Sequence, residues 1–553
     1  MPNILIQIYN QFTKTERRIF DGSFIVFLIS GIVFSILLFQ ITTVKVPAQS
    51  NIYREGIIGQ PIAINPIIAG TNDADRDMVE LLYASLTDLI KDYKISDDRQ
   101  TWNIILKDDL RWSNGKPLTS EDVIFTIDTI QNTGSHSPLL QTWQGVTVDR
   151  ISEREIEIAL RTPYVYFWDN LKELKIIPKN IFGSIPVENF RLSNFNLEPI
   201  GNGPYKFVSF EKKKNGFITT YHLETNEYFS GQKPFIKRFD LSFYPSSEEL
   251  VKAFNNGEID GFGGINPKFI EKITLGYSAP EKIIPQYYAI FLNKSAKTAL
   301  ADDNIIKALN LAINKQEIVD KVFAGKAMIL NGPILPIIGG YDNLSDPGNE
   351  FSTEKANEIL DKANWIINSE TNVREKKRLK QAEPLEFSII IPQIPFLTET
   401  AEIIKDDWAK IGIKLNTIII NPSDITNEIL KNRNYEMILF GNILKNNPDI
   451  FAFWHSSQRF YPGLNLALYE NKKVDSLLES IRKNPDENSR KEDLSKLQKL
   501  MGEDSPAIFL YSPLYIYITP KNFGGFDEKI INTPSERFKN VSKWYLETAR
   551  TFK

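Results

Sequence analysis

Residues Phe24–Val44 read FIVFLISGIVFSILLFQITTV, a run of 21 residues without a charge. As an α-helix with a rise of about 1.5 Å per residue, this run would extend about 32 Å. That length covers the hydrocarbon core of a bilayer, which is about 30 Å thick. The segment therefore predicts one N-terminal transmembrane helix, and it decides how the remaining chain is arranged.

The charges on either side of this helix predict its orientation. Lys14, Arg17 and Arg18 lie just before it, whereas Lys45 alone follows it closely. Positively charged residues favour the cytoplasmic side of a membrane. We therefore expect residues 1–23 to form a short cytoplasmic arm of a single-pass protein in the cell membrane, with everything after the helix outside the cytoplasm.

A cleaved signal peptide is the main alternative to a retained anchor. Val46-Pro47-Ala48 loosely resembles a small-residue cleavage site, and a cut there would release the exterior part. However, the apolar run is longer than the usual length of about 7 to 15 residues in such a signal. A buried core helix is disfavoured because the run has no polar face. We therefore favour a retained helix at residues 24–44, followed by a linker at residues 45–52.

The composition is that of a folded globular protein. Of 553 residues, 42% are apolar and 24% are charged, and the net charge of −4 is spread over interspersed acids and bases, so no nucleic-acid partner is expected. The chain has no cysteine, which excludes disulfides, thiolate metal sites and a lipid-modified cysteine as the tether. Its three histidines, His136, His222 and His455, are far apart in sequence, so neither a metal site nor a cofactor is expected.

The exterior part is too long for one hydrophobic core, so at least two domains are expected. Residues 53–285 read as a strand-rich α/β lobe, lobe I, with turns such as Asn114-Gly115 between short strands. Residues 286–519 alternate strands and helices more regularly and read as lobe II. Residues 520–553 are too few for a core of their own, so we expect them to return to lobe I.

Several local patterns predict particular elements. Thr119 suits a helix N-cap because Asp122 follows three residues later. Residues 387–420 read as a strand, a helix and a second strand, which implies parallel neighbours in a sheet. The charged segment at residues 371–383 reads as an exposed loop.

The sequence contains none of the catalytic motifs that we sought. It lacks a Gly-x-Ser-x-Gly elbow, a phosphate-binding loop and a His-Glu-x-x-His pair. A surface hydrolase would have only His455 and Ser456 to support it, and a packing or hydrogen-bonding role suits His455 better because no acid partner is evident. We therefore expect a binding protein, which needs a cleft with aromatic walls and a few polar groups.

Nine stretches in the exterior part occur in the order of one known family. They include WNIILKDDLRWSNGKPLTSEDVIFTIDTI (102–130), EPIGNGPYKFVSF (198–210), KAFNNGEIDGFGG (252–264), NIIKALNLAINKQEIVDKVFAGKA (304–327), AEIIKDDWAKIGIKL (401–415) and NYEMILFGNILKNNPDIFAFWHSS (434–457). Together they resemble the extracellular solute-binding proteins of the peptide, oligopeptide and nickel type, family 5, which serve ABC importers. The resemblance covers nearly everything after residue 53.

The resemblance implies an α/β fold with two lobes, the type II or flytrap form of the periplasmic binding proteins, which encloses a solute between its lobes. It also implies a non-catalytic protein that delivers a peptide or similar oligomeric solute to ABC permease subunits. We expect a monomer. A flytrap-type solute sensor or adhesin at the cell surface stays an alternative, because the same fold serves several functions.

The chain departs from the family where peptide ends are held. In peptide-binding members, a carboxylate shortly before an Asp-Pro-Asp step holds the amino end, but here that step is Asn447-Pro448-Asp449 and residues 441–446 contain no acid. Dipeptide binders also have an arginine where residues 392–396 have none. An enclosed ammonium group without a counter-charge is costly, which disfavours a dipeptide. A longer peptide held by its backbone, or an oligosaccharide, suits this cleft better, and the scarcity of histidine disfavours nickel.

The candidate ligand-binding residues are aromatic and polar side chains expected at the cleft. They are Trp143, Tyr287, Tyr288, Asn293, Asn442, Asn446, Asn447, Trp454 and His455. Each also has an ordinary structural interpretation. The aromatic side chains suit a packed core, and the two asparagines before Pro448 suit a turn.

Overall fold

The N-terminal helix begins at Lys14 because the preceding residue, Thr13, caps it. The computed structural model describes residues 9–70, 72–338, 350–378 and 381–552, so the first eight residues of the predicted arm lie outside the described part. The Thr13 N–H donates to the Glu16 carboxylate at 2.8 Å, which completes a capping box. The helix, Lys14–Thr42, buries none of its 29 residues against the protein, and it is long and apolar enough to cross a membrane. It therefore contains the predicted span except for Thr43 and Val44, which belong to a strand.

The residues after the helix form a strand rather than the predicted linker. Thr43–Ala48 pairs antiparallel with Glu547–Phe552, and we call this two-stranded sheet the ribbon. The prediction of a linker at residues 45–52 was wrong. The partner strand lies some 500 residues further along the chain, and local sequence patterns do not reveal a pairing between such distant segments. A single residue separates the ribbon from the next strand, Ser50–Ile58.

Both lobes share one sheet of 13 strands. Its main path runs, in spatial order, through Lys414–Ile420, Glu386–Pro392, Met437–Ile443, Gln286–Leu292, Ala507–Pro520, Gly261–Gly263, Ser50–Ile58, Ile236–Tyr244, Ile218–Thr225 and Tyr205–Lys212. Three short strands also pair with Ala507–Pro520, namely Tyr277–Ser278, Glu281–Ile283 and Ala327–Ile329.

The strand Ala507–Pro520, which we call the linking strand, connects the two lobes. Near its start Ile508 lies opposite Ile290 of lobe II, and near its end Ile518 lies opposite Phe262 of lobe I. Its middle residues stay extended because they pair with the short strands at 281–283 and 327–329.

Lobe I carries a second, four-stranded sheet in the order Ile90–Ile95, Thr101–Leu106, Glu155–Ala159 and Thr147–Arg150. The predicted cap at Thr119 is confirmed, because its N–H donates to Asp122 at 2.9 Å. The α-helices of this lobe are Asp73–Leu82, Leu86–Leu89, Ser120–Gln131, Leu140–Trp143, Phe167–Glu173, Lys179–Phe182 and Ser247–Asn255.

Lobe II confirms the predicted strand, helix and strand. Glu386–Pro392 and Lys414–Ile420 pair in parallel, and the helix Pro395–Ala409 connects them. The predicted exposed loop at 371–383 is instead part of a three-stranded sheet of Ile366–Ile367, Arg374–Arg378 and Gln381–Pro384, in which the Arg374 side chain is buried and binds backbone carbonyls. The other α-helices are Asp303–Leu311, Lys315–Phe323, Thr353–Lys362, Pro422–Ile425, Phe451–Trp454, Lys472–Lys483 and Glu487–Asp504.

The segment after the linking strand packs into the core of lobe I. Phe538 and Trp544 lie against Phe239, and Trp544 also lies against Tyr53. A buried ionic triad adds to these contacts. Arg537 binds Glu55 at 3.0 Å and Asp77 at 2.6 Å, and all three side chains are less than 5% exposed.

Candidate ligand-binding cleft

A cavity of about 600 Å³ lies between the two lobes. This volume falls in the range of ligand pockets, about 300 to 1,000 Å³. Lobe I contributes Gln141, Thr142, Gln144, Gly145, Val146, Leu160, Arg161, Thr162, Tyr164, Phe167 and Asn170. Lobe II contributes Ile443, Lys445, Asn447, Asp449, Phe451, Ala452, Phe453, Gln458 and Arg482. Most of the lobe II residues lie at or soon after Ile443, the last residue of the strand Met437–Ile443, whereas Arg482 comes from the helix Lys472–Lys483.

Direct hydrogen bonds join the two walls. The Val165 N–H donates to the carbonyl of Arg482 at 2.9 Å, and the Tyr164 hydroxyl donates to Asp449 at 2.8 Å. The Asn447 amide donates to Asp169 at 3.0 Å. The lobes therefore meet along this side of the cavity.

Most charges at the cleft are already paired. Asp449 accepts from Tyr164 and lies 3.2 Å from Arg482, while Lys445 lies 2.8 Å from Glu173. Burial, and then the nearby Asp449 carboxylate, raise the pKa of the Tyr164 hydroxyl well above its usual value. This phenol therefore stays protonated and remains a donor at physiological pH.

Arg161 is a cation in the cavity wall without such a partner. Among the described residues it forms no ion pair and no side-chain hydrogen bond, and its guanidinium lies directly against Gly145. A β-carbon at that glycine would lie 2.4 Å from Nε of the arginine. Glycine is thus required for this approach, and it also takes a φ of +81°, which side chains disfavour. An exposed guanidinium of this kind suits a carboxylate ligand.

Three of the predicted residues come together behind the cleft rather than in its wall. The Tyr287 hydroxyl accepts from Asn442 at 2.8 Å and from the Trp454 indole at 3.0 Å. All three side chains are buried. Their polar groups therefore bind one another and not a ligand. These bonds hold the end of the strand Met437–Ile443, whose last residue lines the cavity.

Three further predicted residues lie apart from one another. Trp143 is buried in the lobe I core, and its ring lies 5.8 Å from that of Phe167. Tyr288 packs against Phe396 and other lobe II residues, and burial raises the pKa of its hydroxyl to about 12. Asn293 lies at the far end of its strand and donates to the carbonyl of Tyr435 at 2.9 Å.

The last three predicted residues follow the strand end. Asn447 lines the cavity, whereas the backbone N–H of Asn446 donates to Asn532 at 2.9 Å. His455 stacks on Phe451 with ring centroids 4.1 Å apart, and the Ser456 hydroxyl binds Asp475 instead of the histidine. Ligand contact by any of the nine residues stays a prediction.

Sequence reasoning missed several residues of the cavity wall, above all Arg161, Gln141 and Gln144. The arginine was visible only as the end of a strand before Thr162-Pro163. Its contact with Gly145 left no signal in the sequence, because two strands separate the two residues along the chain.

The shared sheet, the two lobes and the cavity between them define a two-lobed solute-binding protein. The model of the family described as "Bacterial extracellular solute-binding proteins, family 5 Middle" matches residues 86–460. The chain belongs to this family.

The relatives agree with this assignment. The chain is 26% identical to the oligopeptide-binding protein AppA of Bacillus subtilis, over 90% of this chain and 92% of that protein. It is 28% identical to the nickel-binding periplasmic protein of Escherichia coli, over 60% of this chain and 62% of that protein. The solved structure of the B. subtilis AppA in complex with a nonapeptide is similar in fold, with a TM-score of 0.72 and 23% identity over 91% of this chain and all of that one. The predicted two-lobed α/β fold is thereby confirmed.

Proposed function

We propose that this protein is the membrane-anchored substrate-binding component of an ABC importer. It captures a peptide, or a similar oligomeric solute, between its lobes and delivers the solute to permease subunits without a catalytic step. The observation that carries the proposal is the interlobe cavity of about 600 Å³, whose lobe I wall presents Gln141, Gln144 and Arg161 to a solute. Amide side chains pair with peptide groups, and a guanidinium pairs with a carboxylate.

The relatives' names include oligopeptide and nickel binders, and the cleft favours the former. Within the described residues, no three His, Asp or Glu side chains come together as a group that could hold a metal ion. The lobe II carboxylate Asp449 is paired with Arg482, so it is not free for the ammonium group of a dipeptide. A peptide longer than a dipeptide, with its carboxyl group near Arg161, suits the cavity.

The helix Lys14–Thr42 is proposed as a retained anchor with its N-terminus in the cytoplasm. The ribbon supports retention, because cleavage after Ala48 would remove one of its two strands and leave Glu547–Phe552 unpaired. The intact mass of the purified protein tests this point. A mass that lacks the first 48 residues would contradict the anchor.

Native mass spectrometry of the freshly purified full chain tests the proposed ligand. We expect co-purifying peptides, and displacement of these by a library of tri- to nonapeptides but not by oligosaccharides. Retention of oligosaccharides alone would contradict the peptide assignment. Chemical cross-linking in the membrane should recover permease subunits, and their absence would favour a sensor or an adhesin instead.

Impermeant maleimide tests the proposed topology, because the chain has no cysteine of its own. Lys214→Cys, at the exposed turn between two lobe I strands, should react on intact cells. Asn10→Cys should react only after the membrane is permeabilised. The reverse pattern would contradict the orientation.

A further inference from the structure

The ribbon lies directly at the end of the apolar helix. The backbone N–H of Thr43 donates to the carbonyl of Phe39 in the last helical turn, so strand follows helix without a spacer. Phe552 lies opposite Thr43, and its ring contacts that of Phe39 edge to face, with centroids 6.3 Å apart. The ribbon therefore begins where the helix leaves a membrane.

The depth of the ribbon follows from the lengths of these elements. From Phe24 to Thr42 the helix extends about 28 Å, close to the bilayer core of about 30 Å. Thr43 and Phe552 then lie at the edge of the hydrocarbon. Lys45 lies two residues further, which is about 7 Å in a strand. That distance matches the polar headgroup layer, about 5 to 8 Å thick on each side.

Two residues with cationic side chains have their backbones at this depth. Lys45 lies directly opposite Arg550 in the ribbon, and both side chains are exposed. Like charges directly opposite destabilise a strand pair unless an anion lies between them. The acid of the ribbon, Glu547, lies opposite Ala48 and thus three positions further from the helix. Neither cation has an ion pair within the part of the chain that the structure describes.

The side chains of Arg550 and Phe552 lie back toward the helix. The Arg550 guanidinium lies 5.8 Å from the Phe39 ring centroid, and it donates to the Thr43 hydroxyl at 2.9 Å. The Phe552 side chain is 73% exposed to solvent in the protein alone. An exposed aromatic ring next to cations is the arrangement found at membrane interfaces.

We propose that the ribbon is a lipid-binding element, in which Lys45 and Arg550 bind the phosphate of an anionic phospholipid headgroup and Phe552 enters the hydrocarbon edge. This proposal rests on the proposed anchoring by the helix Lys14–Thr42. The ribbon then attaches lobe I to the membrane surface through two strands, and the second strand is supplied by a distant part of the chain.

The first experiment measures lipid preference. The full chain is placed in nanodiscs of phosphatidylglycerol and phosphatidylcholine, and the association of spin-labelled forms of each lipid is compared. The variant Lys45→Gln/Arg550→Gln should lose the preference for phosphatidylglycerol by about fivefold per cation, which corresponds to about 1 kcal/mol each. The control Lys213→Gln/Lys214→Gln removes equal charge from the lobe I hairpin and should change the preference less than about twofold, since that hairpin lies outside the ribbon.

The second experiment measures depth with a nitroxide on a single cysteine. A label at Thr551→Cys should be more accessible to oxygen and less accessible to a polar nickel chelate than a label at Glu547→Cys. Equal exposure of both labels to water, or an unchanged lipid preference in the double variant, would overturn the proposal. Failure of the chain to enter nanodiscs would overturn the anchor as well, whereas entry without lipid preference would overturn the ribbon site alone.

Discussion

Replacement of Arg537 by methionine tests whether the segment after the linking strand stabilises lobe I. The guanidinium contacts Glu55 at 3.0 and 3.2 Å and Asp77 at 2.6 and 2.8 Å, and it also donates to the carbonyl of Pro534 at 2.9 Å. Removing one partner from a buried ion pair costs about 3 to 5 kcal/mol, because the remaining charge is left without compensation. We therefore expect Arg537→Met to lower the free energy of unfolding of lobe I by at least about 3 kcal/mol.

The expected loss depends on pH. Burial raises the pKa of Glu55 to about 7, although Arg537 opposes this shift. Without the arginine, the pKa of Glu55 should rise further above its value in the unfolded chain. The folded variant then holds a proton that the unfolded chain releases, so its stability should fall as the pH rises, and its deficit relative to the unchanged protein should grow as the pH rises above about 7, where only the unchanged protein has lost this proton.

Urea unfolding of the full chain in nanodiscs, followed by tryptophan fluorescence and limited proteolysis of lobe I, measures this loss. Trp544 lies in the same core and reports its opening. The control Arg238→Met removes a half-exposed arginine that binds Asp240, and it should cost less than about 1 kcal/mol. A loss below about 1 kcal/mol for Arg537→Met would refute the reasoning. So would failure of the triple variant Arg537→Met/Glu55→Gln/Asp77→Asn to recover part of the loss.

Three further predictions concern the cleft. Arg161→Gln should lower the affinity for peptides with a free carboxyl group about tenfold, as measured by calorimetry, and leave the affinity for amidated peptides unchanged. Only the free carboxyl group has a charge for the guanidinium to bind. Equal losses of affinity for both kinds of peptide would contradict this role. Asp449→Asn should weaken the bond from Tyr164 and lower ligand affinity about tenfold, because hydrogen bonds to charged groups contribute about 1.5 kcal/mol or more. Small-angle scattering of the ligand-bound variant should give a larger radius of gyration, because the lobes close less tightly. An unchanged radius of gyration would contradict a role of the Tyr164–Asp449 bond in closure. Trp454→Phe should cost about 1 kcal/mol of stability through the lost bond to Tyr287. If Trp454→Phe instead lowered ligand affinity strongly and left stability unchanged, this tryptophan would contact the ligand in the cleft.

Local patterns in the sequence predicted much of the fold. The Thr119 cap and the parallel pair around residues 395–409 each depend on neighbours within a few dozen residues. The ribbon could not be predicted in this way. Its two strands have no local partner, and their pairing depends on how the lobes fold.

The site was harder to predict than the fold. Tyr287 and Trp454 have the residue types of a binding cleft, but their polar atoms bind each other and Asn442 in a buried set. The same side chains suit a core or a cleft, and the sequence does not show which polar groups find internal partners. Arg161 was missed for the opposite reason, because an exposed arginine in a turn is ordinary in any sequence.

The return of the chain to its first strands has a consequence for biosynthesis. Thr43 and Arg550 are 507 residues apart, and Glu55 and Arg537 are 482 residues apart. Lobe I therefore has a very high contact order, and its core stays incomplete until the ribosome has translated lobe II. Lobe II, whose own contacts are complete earlier, is expected to fold first. The half-made lobe I then has an open core and an unpaired strand edge, a state that is prone to aggregation and that a chaperone would protect.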